Sequence, residues 1–93
     1  MAQKRANIVY KGTVQGVGFR FTVEHVAKSF GLTGWVRNSP EGAVEVVCEG
    51  KEPDIKTFVS RVKKEMGHYI SSADIKWETP TGEFDSFNIA FYR

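Results

Sequence analysis

The sequence predicts an α+β fold in which a mostly antiparallel sheet carries two helices on one face. Two features support this prediction. Short segments of β-branched and aromatic residues alternate in hydrophobicity, and two longer segments place apolar residues three and four positions apart. Each amphipathic helix has one apolar stripe to bury, and a sheet covered on one side by both helices satisfies both stripes.

The first strand and the first helix follow from periodicity. Residues 8–14 are rich in β-branched and aromatic side chains and predict a strand. After a loop at residues 15–20, four apolar residues recur at helical spacing, namely Val23, Val26, Ala27 and Phe30. Gly31 follows them, where a left-handed C-terminal cap belongs.

A hairpin and a second helix form the middle of the chain. Residues 33–38 and 43–49 predict its two strands, joined by a turn that contains Pro40 and Gly42. Pro53 fits the first position of a helix, where its missing N–H is tolerated. The apolar stripe of this helix comprises Ile55, Phe58, Val59, Val62 and Met66, and Gly67 ends it.

Two further strands complete the fold. Residues 73–78 alternate as a fourth strand, and residues 87–91 predict a short last strand after a Pro–Gly turn. The order strand, helix, strand, strand, helix, strand is that of the ferredoxin-like split βαβ sandwich. The chain has 93 residues, and we expect a single domain over 1–93.

Composition excludes several kinds of partner. Lys plus Arg is 13 and Asp plus Glu is 11, so the net charge of +2 is small for a protein that coats nucleic acid. Cys48 is the one cysteine, which excludes an internal disulfide and a thiol cluster for a metal. No apolar run could span a bilayer, and the first residues lack a signal-peptide core. We expect a cytoplasmic protein without metal, cofactor, membrane or nucleic acid.

The loop Gly12–Arg20 (GTVQGVGFR) has the features of an anion site. Gly16 and Gly18 allow successive backbone N–H groups to point into one concavity, and the following helix contributes its positive end. Arg20 adds a permanently charged fork suited to phosphate oxygens. It is neither a Walker loop nor a dinucleotide fingerprint, because their further Lys and Gly are missing. The loop is also compatible with a plain connection whose arginine faces water.

Two motifs resemble those of the acylphosphatase family, and the resemblance covers essentially the whole chain. The family signature G-x-V-Q-G-V-x-F-R matches from Gly12 to Arg20. The second signature, G-W-V-x-N-x-x-x-G-x-V-x-x-x-x-x-G, is matched by Gly34, Trp35, Val36, Asn38, Gly42, Val44 and Gly50.

The resemblance implies hydrolysis of the carboxyl–phosphate anhydride of acyl phosphates by a positioned water, without a covalent intermediate. Arg20 would bind the phosphoryl group, and Asn38 would orient the water. The backbone amides that complete the cradle would be those of Gln15, Gly16, Val17, Gly18, Phe19 and Arg20. We expect a monomer that acts on a small-molecule acyl phosphate.

Other interpretations remain open at this point. Asn38 could be a turn residue, since Asn tolerates left-handed conformations. Phe19 and Phe21 could pack in the core or wall an acyl pocket. The fold class also hosts RNA-binding modules, although Glu45 and Glu49 on the polar face of a middle strand would repel phosphates. The chain could also be a domain that only binds an anion, or one that serves a larger carboxylate-handling enzyme.

Overall fold

The computed structural model describes residues 2–91 and confirms the ferredoxin-like α+β fold. The strands are β1 (Gln3–Gly12), β2 (Thr33–Asn38), β3 (Val44–Lys51), β4 (Ile70–Glu78) and β5 (Phe87–Ile89). The helices are α1 (Phe19–Ser29) and α2 (Glu52–Met66), and a 3₁₀ turn at Gly67–Tyr69 precedes β4. Neither described helix is long and apolar enough to cross a membrane.

The five strands form one sheet in the order β4-β1-β3-β2-β5. β1 pairs antiparallel with both β3 and β4, and β2 pairs antiparallel with β3. The short β5 runs parallel to β2 at the far edge, so the sheet is mixed but mostly antiparallel, as predicted.

One hydrophobic core lies between the sheet and the two helices. Alternate residues of the central strands point into it, and each helix contributes the stripe that its sequence predicts. The strand residues of this core include Ala6, Ile8, Tyr10, Val36, Val44, Val46 and Cys48. The helix residues are Phe19, Val23, Val26, Ala27, Ile55, Phe58, Val62 and Met66. The predicted left-handed cap is also present, because Gly31 has a φ of 68°.

Several predicted boundaries were wrong at the strand ends. β1 was predicted over residues 8–14, but it begins at Gln3, because polar residues that carry no hydrophobic signal pair with the end of β3. It ends at Gly12, where the register with β4 shifts, so Thr13 and Val14 lie outside the strand. β2 has the predicted bounds, whereas β3 starts one residue later and ends two residues later than predicted, and β4 starts three residues earlier. Pro53 is the second residue of α2 rather than the first.

The predicted last strand also ends earlier than expected. It was predicted over residues 87–91, but β5 stops at Ile89, and the Phe91 side chain is 77% exposed. The alternating apolar pattern therefore extends to Phe91, whereas the strand itself does not.

A buried carboxylate connects the segment after β4 to the sheet. Glu49 is only 4% exposed and accepts a hydrogen bond from Arg5 Nη1 at 2.9 Å. It also accepts bonds from the Thr81 N–H, the Thr81 hydroxyl and the Gly82 N–H. Burial by itself raises the pKa of Glu49, but these donors outweigh it and hold the pKa below its ordinary value.

Candidate active site

The sheet register brings the loop after β1 close to the end of β2. Val44, the first residue of β3, pairs with Tyr10 of β1 on one side and with Asn38 of β2 on the other. The chain leaves β1 two residues after Tyr10, and Asn38 is the last residue of β2. The glycine loop and Asn38 therefore emerge at the same end of the three central strands, on either side of β3.

Two glycines give the loop a left-handed backbone conformation. Gly16 and Gly18 have φ values of 78° and 77°, a left-handed region that other residues adopt at a cost of about 1–2 kcal/mol. Gly18 is the N-cap of α1 and supplies no side-chain cap. Within residues 2–91, no loop N–H from 15 to 20 donates to a backbone carbonyl. These N–H groups remain available to bind an anion at the helix N-terminus.

Arg20 and Asn38 lie together, as the motifs predict, and border two concavities. The first has a volume of about 240 Å³ and is lined by Val14, Gly16, Gly18, Phe19, Arg20, Phe21 and Asn38. The second has a volume of about 420 Å³ and is lined by Arg20, Asn38, Ser39, Pro40, Ala90 and Phe91. Arg20 is the one charged side chain among these lining residues, so no carboxylate opposes an anion there.

The Asn38 side chain has an unused hydrogen-bonding group at this site. Its Oδ1 is buried and has no hydrogen-bond partner within the described part of the chain. Buried polar atoms are satisfied in most proteins, so an acceptor without a partner indicates a place where a ligand or water binds. The alternative of a left-handed turn residue is excluded, because no described residue other than glycine has a positive φ.

Gln15 connects the loop to the turn that follows Asn38. Its Nε2 donates to the Ser39 carbonyl at 2.8 Å and to the Ala43 carbonyl at 2.9 Å. The same turn is closed by the Ser39 N–H, which donates to the Ala43 carbonyl. The Gln15 side chain therefore connects the glycine loop to the turn after Asn38.

The two phenylalanines beside Arg20 have different environments. Phe19 is 1% exposed and packs edge-on against Tyr10, with ring centroids 5.1 Å apart. Phe21 is 70% exposed and lines the smaller concavity. Sequence reasoning missed Phe91 as a site residue, because alternation alone assigned it to a strand and nothing in the sequence links it to Arg20.

The carboxylates expected to repel RNA phosphates are paired with arginines. Glu45 pairs with Arg37 at 2.8 Å, and Glu49 pairs with Arg5 at 2.9 Å. The predicted repulsion by free carboxylates therefore does not apply to this face. The Arg37 guanidinium also lies 4.4 Å from the Trp35 ring centroid.

Metal ligands are not gathered in the described residues. No group of three His, Cys, Asp or Glu side chains in residues 2–91 is placed to hold an ion. Cys48 is fully buried in the core, and burial raises the pKa of its thiol to about 12.

Comparison with known proteins identifies one family. The acylphosphatase family model matches residues 6–89. The acylphosphatase of Syntrophus aciditrophicus (strain SB) is 42% identical over 95% of this chain and 93% of its own length. The crystal structure of acylphosphatase from Bacillus subtilis has a TM-score of 0.87 and 32% identity, covering 94% of this chain and 98% of that chain. T. kodakarensis HypF matches with a TM-score of 0.80 and 32% identity, over 94% of this chain but 12% of its own.

Proposed function

This chain belongs to the acylphosphatase family of acyl phosphate hydrolases, and we propose that it acts by direct attack of a positioned water, with no covalent intermediate. The observation that supports this best is the joint position of Arg20 and Asn38, which border the same two concavities. One is a permanent cation, and the other is a buried acceptor without a partner.

The phosphoryl group would bind in the smaller concavity. Gly16, Gly18, Phe19 and Arg20 line this concavity, and the backbone N–H groups of residues 15–20 with the Arg20 guanidinium would bind an anion of phosphate size there. Phosphoryl transfer depends mainly on charge stabilisation and on alignment of the nucleophile. Asn38 Oδ1 would accept a hydrogen bond from the attacking water and so orient its lone pair toward phosphorus.

The chemistry of the leaving group explains why these residues suffice. The water oxygen forms a bond to phosphorus as the bond from phosphorus to the acyl oxygen breaks, and that electron pair leaves on a carboxylate. The parent acid has a pKa of about 4, so the carboxylate departs without a proton and needs no general acid. The water protons pass to the phosphate product and to solvent.

A covalent route has little support in the site. Ser39 is the one nucleophilic side chain among the residues that line the two concavities. It is 7% exposed, and its hydroxyl oxygen accepts a hydrogen bond from the Ala43 N–H. No histidine or carboxylate lines either concavity to remove its proton.

The test is turnover of acetyl phosphate by matched variants. We expect Arg20→Ala and Asn38→Ala each to lower kcat/KM by about 10²–10³, as for the loss of single transition-state donors. Arg61→Ala and Asn88→Ala are the controls, since both residues are exposed and lie outside the two concavities. Near wild-type activity in Arg20→Ala would contradict the site, and phosphorylated protein in the intact mass during turnover would contradict the direct route.

The remaining proposals concern how the protein works as a whole. We propose a metal-independent monomer of one domain that acts in the cytoplasm on a small-molecule acyl phosphate, without nucleic acid or membrane. Full activity in EDTA and a solution mass near 10.5 kDa would support this proposal. A second candidate is a domain that only binds an anion or serves a larger enzyme, and the match to 12% of the length of T. kodakarensis HypF is its support. Phosphate binding without acetyl phosphate turnover in the wild-type protein would support that candidate.

A further inference from the structure

Two strongly exposed phenylalanines border the candidate site, one on each concavity. Phe21 lines the smaller concavity, and Phe91, which is 77% exposed, lines the larger. The larger concavity has Pro40 and Ala90 as its other apolar residues, with Arg20 and Asn38 at its border with the smaller one. Neither phenylalanine is part of the hydrophobic core of the described chain.

We propose that the larger concavity is the acyl subsite and that Phe91 is its specificity-determining residue. The preferred substrates are then acyl phosphates with a flat, apolar acyl group such as an aromatic ring. This inference rests on the proposed function, because it takes the phosphoryl group to bind beside the glycine loop. The acyl group then continues past Arg20 and Asn38, which border both concavities, and reaches Pro40, Ala90 and Phe91.

The sizes and linings of the two concavities favour this division. The smaller, at about 240 Å³, is below the usual range for an organic ligand of roughly 300–1,000 Å³ and lies beside the glycine loop. The larger, at about 420 Å³, lies within that range, and the apolar residues Pro40, Ala90 and Phe91 make up half of its lining. The volumes therefore favour the phosphate in the smaller concavity and the acyl group in the larger.

The position of Phe91 is set by the same strand that carries Asn38. The N–H of Ala90 donates to the Val36 carbonyl of β2 at 2.8 Å, one residue before Phe91 and two before Asn38. The backbone beside Phe91 is therefore fixed relative to Asn38, although the Phe91 side chain remains exposed. An aromatic acyl group can stack on that ring or meet it edge-on.

The experiment compares benzoyl phosphate with acetyl phosphate as substrates. Stacking of two rings predicts that Phe91→Ala lowers the ratio of kcat/KM for benzoyl over acetyl phosphate by about 3- to 10-fold, mainly through KM for benzoyl phosphate. Phe91→Tyr keeps the ring and should retain the wild-type ratio. Phe21→Ala is the matched control, because Phe21 is nearly as exposed but borders the other concavity, and it should leave the ratio unchanged.

Two results would overturn the acyl subsite. One is an unchanged substrate ratio in Phe91→Ala, and the other is a selective loss for benzoyl phosphate in Phe21→Ala. Either result with normal acetyl phosphate turnover in the wild-type protein refutes the subsite alone. Absence of acetyl phosphate turnover in the wild-type protein refutes the proposed function instead. Thermal unfolding of each variant provides the folding control, since Phe91 lies outside β5 and the core.

Discussion

The two hydrogen bonds of Gln15 connect the anion loop to the turn that directly follows Asn38. Gln15→Met removes the donor while keeping an unbranched side chain of similar length. The carbonyls of Ser39 and Ala43 then lose a partner that lay 2.8 and 2.9 Å away. The loop and the end of β2 then lose this side-chain link, so we expect Asn38 to be less well aligned with Arg20.

The magnitude follows from those two bonds. A neutral hydrogen bond contributes about 0.5–1.5 kcal/mol net, so the pair contributes about 1–3 kcal/mol. If all of this appears in the activation barrier, the rate falls by about 5- to 150-fold. Gln15 is half-buried, so water can partly replace the lost donor, and we expect the lower half of that range.

A double-mutant cycle distinguishes positioning from a general loss of structure. If Gln15 acts by positioning Asn38, then Gln15→Met should change acetyl phosphate turnover by less than about 2-fold in an Asn38→Ala background. Thr57→Val is the control, because it removes an exposed side-chain bond to the Pro53 carbonyl on α2, away from the site. Fully additive effects of the two site variants would refute the positioning role.

Two further predictions concern stability. Glu49→Gln should lower the free energy of unfolding at pH 7 by about 1–3 kcal/mol, since it leaves the Arg5, Thr81 and Gly82 donors poorly matched to the buried side chain. The folded-state pKa of Glu49 lies below its unfolded value, so its stabilisation is present above the unfolded pKa of about 4.3 and is lost as the pH falls through the folded pKa. Urea titrations should show a smaller difference in the free energy of unfolding between Glu49→Gln and wild type at pH 3 than at pH 7. An equal difference at both pH values would contradict this account. Cys48, whose pKa is raised to about 12 by burial, should react with a thiol reagent at pH 8 only as fast as the protein opens, and labelling faster than global unfolding would contradict its burial.

Periodicity predicted the elements because the core is one-sided. Each strand and helix that buries a single face leaves its period in the sequence, as Ile8 and Tyr10 do in β1. The start of β1 shows no hydrophobic period, since it is held by backbone pairing between Gln3 and Lys51 rather than by apolar burial. The last strand was predicted too long for the opposite reason. Phe91 continues the alternation of apolar residues, but the pairing of β5 with β2 ends at Ile89.

The site could be predicted only as far as the two motifs reach. They indicate Arg20 and Asn38, but the Gln15 contact depends on the register of the hairpin, which places residues 24 and 28 positions apart within hydrogen-bond distance. The second concavity depends on the parallel pairing of β5 with β2, which brings Ala90 to Val36. Local patterns do not encode such long-range distances, and these are the contacts that add Phe91 to the site.

The location of the site explains how a nearly neutral protein can handle an anion. Arg20 lies in the first turn of α1 and Asn38 ends β2, so the cation and the acceptor belong to different layers of the fold and meet at one end of the central strands. The Gln15 amide links the loop before α1 to the turn after β2, which opposes separation of the two groups. A pre-positioned cation and a backbone cradle stabilise the developing charge without reorganisation, which is the condition under which a few groups suffice. In the proposed mechanism, the net charge of +2 therefore matters less than the position of one arginine.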